Sequence, residues 1–148
     1  MKQRHPTIHR ILKFCQSMIA LLWIYQGLIP KLIFQSPTEQ AIWQQLPIAH
    51  FYIGWLVMLS GISEVIFGVL FLFIKHPCLH WLSIVSLTGL FIFILFIDPN
   101  QLYQAFNPVV MNIALASLSL IAIWCLNADA DADAKPLKSA LRECNRKD

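Results

Sequence analysis

Charged residues are scarce in this chain: of its 148 residues, Asp, Glu, Lys and Arg make up only 13%, whereas hydrophobic residues make up 57%. Charged residues form about a quarter of an ordinary soluble domain, so this composition is typical of a membrane protein. None of the four cysteines belongs to a CxxC pair, which argues against a thiol–disulfide relay. The sequence also lacks a phosphate-binding loop, a nucleophile triad and a basic nucleic-acid patch, so no nucleic-acid partner is expected.

Four long apolar segments are present, at about residues 14–34, 51–74, 81–97 and 109–126. A membrane-spanning helix needs about 17 to 25 mostly apolar residues, so each segment predicts one span. The loops between them are short, so consecutive spans are expected to be antiparallel neighbours in an all-α, up-down-up-down four-helix bundle over residues 1–127. Residues 128–148 contain the alternating tract ADADADA and predict a disordered cytoplasmic tail.

The basic residues are distributed unequally between the two sides of this bundle. Ten of the eleven Lys and Arg residues lie in the N-terminal segment, the second loop and the tail, against one in the first loop. The positive-inside rule therefore predicts that both termini are cytoplasmic. All four cysteines then lie near the reducing cytoplasmic side, where structural disulfides are not expected.

One carboxylate, Glu64, interrupts an apolar run in the stretch GISEVIFG, as the fourteenth residue of the span 51–74. A charge at the bilayer centre costs about 2.5 to 3.5 kcal/mol on insertion scales, so Glu64 is expected to face the bundle interior. Lys31, near the end of the first span, can extend its long side chain to the headgroups. Alternatively it pairs with Glu64; a nearby cation keeps the carboxyl ionised, whereas without one the acid is neutral and donates a hydrogen bond.

Small residues form stripes along several spans. Gly54, Gly61 and Gly68 recur every seven residues around Glu64, and small residues allow helices to approach closely in lipid. Narrow small or polar stripes also occur in the last two spans, at Ser86, Gly89, Asn112, Ala116 and Ser119. These stripes are expected to face the same interior.

The other polar residues are concentrated in the predicted outer half of the bundle or its loops, namely Tyr25, Gln26, Lys31, His50, Asp98, Asn107 and Asn112. This distribution predicts a polar pocket that opens outward, with Glu64 near its floor. Its candidate ligand-binding residues are Glu64, Lys31, Gln26, Asn112, Asn107 and Tyr25; no catalytic residue is assigned. The alternative is that these side chains only hydrogen-bond between helices and fix their packing.

Metal and haem sites are not predicted. The stretch HPCLH places His76, Cys78 and His80 two residues apart, which is poor zinc spacing, and no second ligand cluster follows. A membrane-embedded haem needs axial ligands on facing helices, and no histidine lies within a predicted span; His50 lies at the outer edge of one.

Three stretches together resemble the DoxX-like family of small four-helix bacterial membrane proteins: WIYQGLIPKLIF (23–34), GISEVIFG (61–68) and AFNPVVMNIAL (105–115). The resemblance implies a multi-pass protein of the bacterial inner membrane. It also implies a link to membrane redox systems, since relatives include the small subunit of a thiosulfate:quinone oxidoreductase. The motif positions matched are Gln26, Gly27, Pro30, Lys31, Gly61, Glu64, Gly68, Asn107, Pro108 and Asn112.

Together with this resemblance, the polar residues gathered on one side favour an accessory or binding subunit of a quinone-linked redox system. It is expected to bind a small polar molecule or a quinone head group in the outward pocket, or to dock a redox partner, and no cofactor other than quinone is evident. Its expected partners are the lipid bilayer and a membrane redox protein or a second copy of the chain. A stand-alone enzyme is not supported, because a lone acid without a cofactor motif defines no reaction. A small-solute or proton-coupled transporter and a purely structural membrane subunit remain as alternatives.

Overall fold

Helices account for nearly all of the chain that the computed structural model describes, which is residues 6–47, 50–103 and 107–144. The helices are α1 (Pro6–Gly27), α2 (Pro37–Gln44), α3 (His50–Phe73), α4 (Pro77–Ile97) and α5 (Pro108–Cys144). A π-helical segment (Leu28–Ile33) continues α1, and a 3₁₀ turn (Pro99–Tyr103) follows α4. No strand occurs in the described residues, so the predicted all-α class is confirmed.

Four of the described helices are long and apolar enough to cross a membrane: Pro6–Ile33, Phe51–Phe73, Pro77–Ile97 and Val109–Ala130. The prediction of four spans is confirmed, although two helices begin earlier than the apolar runs indicate. The third begins at Pro77 rather than near residue 81, so His80 belongs to a helix and not to a loop.

Side-chain caps explain where two of these helices begin. Before α4, the ring Nδ1 of His76 accepts a hydrogen bond from the backbone N–H of Cys78, with Pro77 in the first turn. Before α5, Asn107 Oδ1 accepts one from the N–H of Val109 over 2.7 Å. Both caps satisfy an N–H that the first helical turn leaves without a backbone partner.

The tail differs from the sequence prediction. Disorder was predicted from residue 128, whereas α5 continues through the Ala-Asp tract to Cys144. Alanine is the strongest helix former, and extending an existing helix avoids the cost of nucleation, so a segment without an apolar face can remain helical.

The spans pack in an order that differs from their order in the chain. Helix α1 packs against α3 and α5, and α5 packs against α4. Sequence-adjacent α3 and α4 do not form an extensive interface among the described residues, although the Phe71 and His80 rings meet 5.1 Å apart near their short connection. The expectation that every pair of consecutive spans packs together is therefore wrong for α3 and α4.

Two groups of buried apolar residues form the core. The central cluster contains Ile19, Ala20, Trp23, Phe71, Leu79, Leu87 and Leu115. The smaller terminal cluster contains Leu12, Cys15, Ala122 and Cys125. Leu118 of α5 packs against both clusters.

Glycines bring α1 and α3 close together. A methyl group on Gly27 would lie 2.5 Å from the carbonyl oxygen of Gly61, and one on Gly68 would lie 2.9 Å from that of Ala20. The predicted close approach is thus confirmed at Gly61 and Gly68. It is wrong at Gly54, where an added methyl would meet nothing within 4 Å. A methyl group added to Gly89 would also meet nothing within 4 Å, so the expectation that Gly89 faces the interior is wrong as well.

Candidate functional site

The π-helical segment after α1 positions the first charged residue of the site. Pro30 has no N–H and its ring clashes with the preceding turn, so an α-helix cannot continue unchanged through it. The chain widens here, and the N–H of Phe34 bonds the carbonyl of Ile29 over 3.1 Å, a five-residue spacing. Lys31 lies within this widened segment and is buried. Such local widening is frequent at functional sites.

Lys31 and Glu64 form a buried ion pair. Lys31 Nζ donates a hydrogen bond to Glu64 Oε1 over 2.5 Å, and each side chain is only 11% exposed. Removing either partner would leave a buried charge alone, which costs far more than the pair itself contributes. Lys31 therefore does not extend to the headgroups, and the carboxylate in the apolar run has a cation opposite it.

A second carboxylate approaches the same ammonium group. Glu39 Oε2 of α2 lies 3.9 Å from Lys31 Nζ, and its side chain is 30% exposed. Two carboxylates thus share one lysine, and Glu64 Oε2 has no hydrogen-bond partner among the described residues. The site consequently has an excess of hydrogen-bond acceptors and, with all three groups ionised, a negative formal charge.

These charged groups line a cavity of about 530 Å³. Its polar lining comes from α1, the π-helical segment, α2, α3, the 3₁₀ turn and α5, and includes Gln26, Lys31, Glu39, Glu64, Gln101 and Asn112. Its apolar lining includes Ile42, Trp43, Leu90, Phe93 and Ile94. A volume of this size falls within the range of about 300 to 1,000 Å³ that small-molecule sites occupy.

A smaller cavity of about 300 Å³ lies beside it and shares Glu64 and Leu90 with it. It is lined mainly by apolar groups of α1, α3 and α4, including Trp23, Phe67 and Leu82. Its location follows from the packing order, because α3 and α4 do not close against each other. Polar and apolar spaces therefore meet at Glu64.

Helix α2 contributes one wall of the larger cavity. The Trp43 ring packs against Phe93 of α4 with centroids 6.1 Å apart. The turn before α2 contains Gln35 with a φ of 43°, unusual for a residue other than glycine, and the Gln40 amide donates to its carbonyl over 3.1 Å. The first loop therefore contains a short helix that lies against the site.

Four of the six ligand-binding residues predicted from the sequence lie around one cavity in the structure. Gln26, Lys31, Glu64 and Asn112 all line the larger cavity. Asn107 instead caps α5, and its amide donates to the carbonyl of Leu102 over 2.7 Å.

Tyr25 and Asp98 have other surroundings. Tyr25 is 55% exposed and is not among the cavity-lining residues. Asp98 accepts a hydrogen bond from the Gln101 amide over 3.0 Å. The side chain of His50 lies outside the described part of the chain.

Sequence reasoning missed several cavity residues, notably Glu39, Trp43, Phe93 and Gln101. Trp43 could have been predicted from the amphipathic pattern of the first loop. Glu39 could have been predicted because that loop follows Lys31 closely in the sequence. Gln101 carried no signal, because its position depends on how the 3₁₀ turn folds back. Within the described ranges, no group of three His, Cys, Asp or Glu side chains could hold a metal ion.

Comparison with known proteins identifies a family that this chain matches. The model of the DoxX-like family matches residues 20–120, which contain the Lys31–Glu64 pair and most of the four spans. No curated protein and no solved structure matches the chain significantly.

Proposed function

This chain belongs to the DoxX-like family, and on that premise we propose that it is a binding subunit of a quinone-linked redox system in the bacterial inner membrane. Its ligand is a quinone whose polar head occupies the larger cavity beside Lys31 and Glu64. It acts as an accessory to a membrane redox protein rather than as an enzyme by itself.

The observation that carries this proposal is the buried ion pair in the wall of a ligand-sized cavity. Lys31 and Glu64 are held on two helices and buried, so their geometry exists before a ligand binds. The unpartnered Glu64 Oε2 suits a hydroxyl donor, as in the reduced head group, while the amides of Gln26 and Asn112 can donate to or accept from ring oxygens.

The smaller cavity supports a ligand that bears an apolar chain. It adjoins the polar site at Glu64 and Leu90, and its Phe67 and Leu82 lining suits hydrocarbon. A molecule dissolved in the bilayer could place its head in the larger cavity and its chain between α3 and α4. A soluble polar metabolite would leave this apolar space unfilled.

The proposal also specifies how the bundle is oriented in the membrane. The bundle runs up-down-up-down with both termini cytoplasmic, and the cavity with α2 opens toward the outer face. The support is the distribution of basic residues, ten of eleven of which belong to segments on the opposite side.

The test uses a double substitution, Lys31→Met with Glu64→Gln, in the intact membrane. Replacing both charges avoids leaving one of them buried alone. We expect reduction of the quinone pool by the associated redox system to slow, with the protein at its normal level. The matched control is Lys75→Met, which removes an exposed lysine outside the cavity.

Unchanged quinone reduction in the double variant, at normal protein level, would refute the proposal. Loss of the partner protein from the membrane, without any effect on reduction per assembled complex, would identify a purely structural subunit instead. Uptake of a solute by proteoliposomes that requires Glu64 would identify a transporter.

A further inference from the structure

A second group of buried polar side chains lies away from the Lys31–Glu64 cavity. Gln16 of α1, His80 and Ser83 of α4, and Ser119 of α5 are all buried, with at most 4% of each residue exposed. None of them lines either cavity described above. The proposed function uses none of these groups.

All four side chains lie next to members of the central apolar cluster along their helices, and His80 and Ser83 lie between Leu79 and Leu87 of that cluster. Gln16 follows Cys15 of the terminal cluster and precedes Ile19 of the central cluster by one turn. Ser119 lies four residues after Leu115 and three before Ala122, again between the two clusters. We call these four residues of three helices the polar layer; on α1 and α5 it lies between members of the two clusters, and on α4 it lies within the central cluster.

His80 fixes this layer relative to the ligand cavity through a series of ring contacts. Its ring lies 5.1 Å from Phe71, which lies 5.2 Å from Phe67, which lies 4.9 Å from Trp23. The Trp23 indole N–H in turn donates to Ser83 over 3.2 Å, one turn from His80. Trp23 and Phe67 line the smaller cavity, so these rings stand between His80 and Glu64.

The polar atoms of the layer are largely unpaired. Gln16 Nε2, both ring nitrogens of His80 and Ser119 Oγ have no hydrogen-bond partner among the described residues. An unpaired buried polar group costs about 1 to 3 kcal/mol, so several in one layer form an expensive arrangement. Buried water typically satisfies such groups when two to four polar partners surround it.

We propose that Gln16, His80, Ser83 and Ser119 form a second polar site, which binds water inside the bundle. Ser83 and Ser119 supply hydroxyls, Gln16 supplies an amide, and His80 supplies one donor and one acceptor nitrogen. The site gives the bundle a hydrated histidine that exchanges its ring proton with water. The aromatic series Trp23–Phe67–Phe71 separates this water from the ligand cavity.

Water-edited solid-state NMR of the full chain in lipid bilayers tests the proposal. Magnetisation transferred from water should reach the His80 ring, identified by loss of its signal in His80→Gln, and should not reach the buried methyls of Leu115. The ring proton should also exchange after transfer to D₂O. Absence of both signals from His80 would overturn the proposal.

A matched pair of serine substitutions on α5 sharpens the test. Ser119→Ala should reduce the water transfer to His80, because it removes one partner of the bound water. Ser117→Ala should leave it unchanged, since Ser117 is exposed and bonds the carbonyl of Ile113 within its own helix. Equal transfer in both variants and the wild type would show that Ser119 does not hold the water and would overturn this assignment of the site.

Discussion

Substituting alanine for Gly27 tests the close approach of α1 and α3 that brings Lys31 to Glu64. The added methyl would lie 2.5 Å from the Gly61 carbonyl oxygen, roughly 0.9 Å closer than the 3.4 Å at which ordinary contact begins. It would also lie 3.0 Å from Glu64 Cβ. Because the first obstacle is backbone, side-chain rotation cannot relieve it and the helices must separate.

The expected cost combines two opposing terms. Overpacking a close contact costs about 1 to 3 kcal/mol, while replacing a helical glycine by alanine contributes about 0.5 to 1 kcal/mol in the opposite direction. A net destabilisation of up to about 2.5 kcal/mol is therefore expected for Gly27→Ala. Gly54→Ala is the matched control, since its methyl would meet nothing within 4 Å, and it should stabilise the protein by about 0.5 to 1 kcal/mol.

Reversible unfolding in mixed detergent micelles, followed by circular dichroism, measures both free energies. The Gly27 variant should unfold at a lower denaturant fraction than the wild type and the Gly54 variant at a higher one. If the two substitutions change the free energy of unfolding equally, the close contact between these helices does not stabilise the bundle and the reasoning fails.

Three further substitutions give expected outcomes in the same unfolding assay. Glu64→Gln should cost about 3 to 5 kcal/mol because it leaves the Lys31 charge buried alone, and adding Lys31→Met should recover much of that loss; a double variant as unstable as the single one would contradict this. Trp23→Phe should lose about 0.5 to 1.5 kcal/mol with its hydrogen bond to Ser83, and an unchanged free energy would argue against that bond. Asn107→Ala should lose about 0.5 to 2 kcal/mol and speed amide exchange in the first turn of α5, and unaltered exchange would show that the cap is not formed.

The spans and the inward position of Glu64 could be predicted because both follow from the cost of polar groups in hydrocarbon. That cost requires long apolar segments, and it drives a midspan carboxylate toward the bundle interior whichever helices surround it. The sequence did not decide whether Lys31 pairs with Glu64, because Lys31 could equally extend to the headgroups. The π-helical turn at Pro30 decides this point, because it directs Lys31 inward.

Packing order and helix starts were harder to predict from the sequence. Short loops suggested that all consecutive spans are neighbours, but the α3–α4 gap depends on which side chains interlock between helices. An apolar run shows only which part of a helix lies in the hydrocarbon core of the bilayer. The first turn of α4, from Pro77 to His80, was therefore not predicted, and His80 was assigned to a loop. The cavity wall formed by α2 likewise depends on tertiary contacts such as Trp43 with Phe93.

Direct quinone binding tests the proposal that the cavity beside Lys31 and Glu64 is a quinone site. Trp23 and Trp43 line the two adjoining cavities, so a bound quinone should quench their fluorescence. Titrating a short-chain ubiquinone into the purified protein in nanodiscs should give saturable quenching in the wild type, and none that saturates in the Lys31→Met, Glu64→Gln double variant. Identical saturable quenching in both proteins, or none in the wild type, would contradict a quinone site at the ion pair.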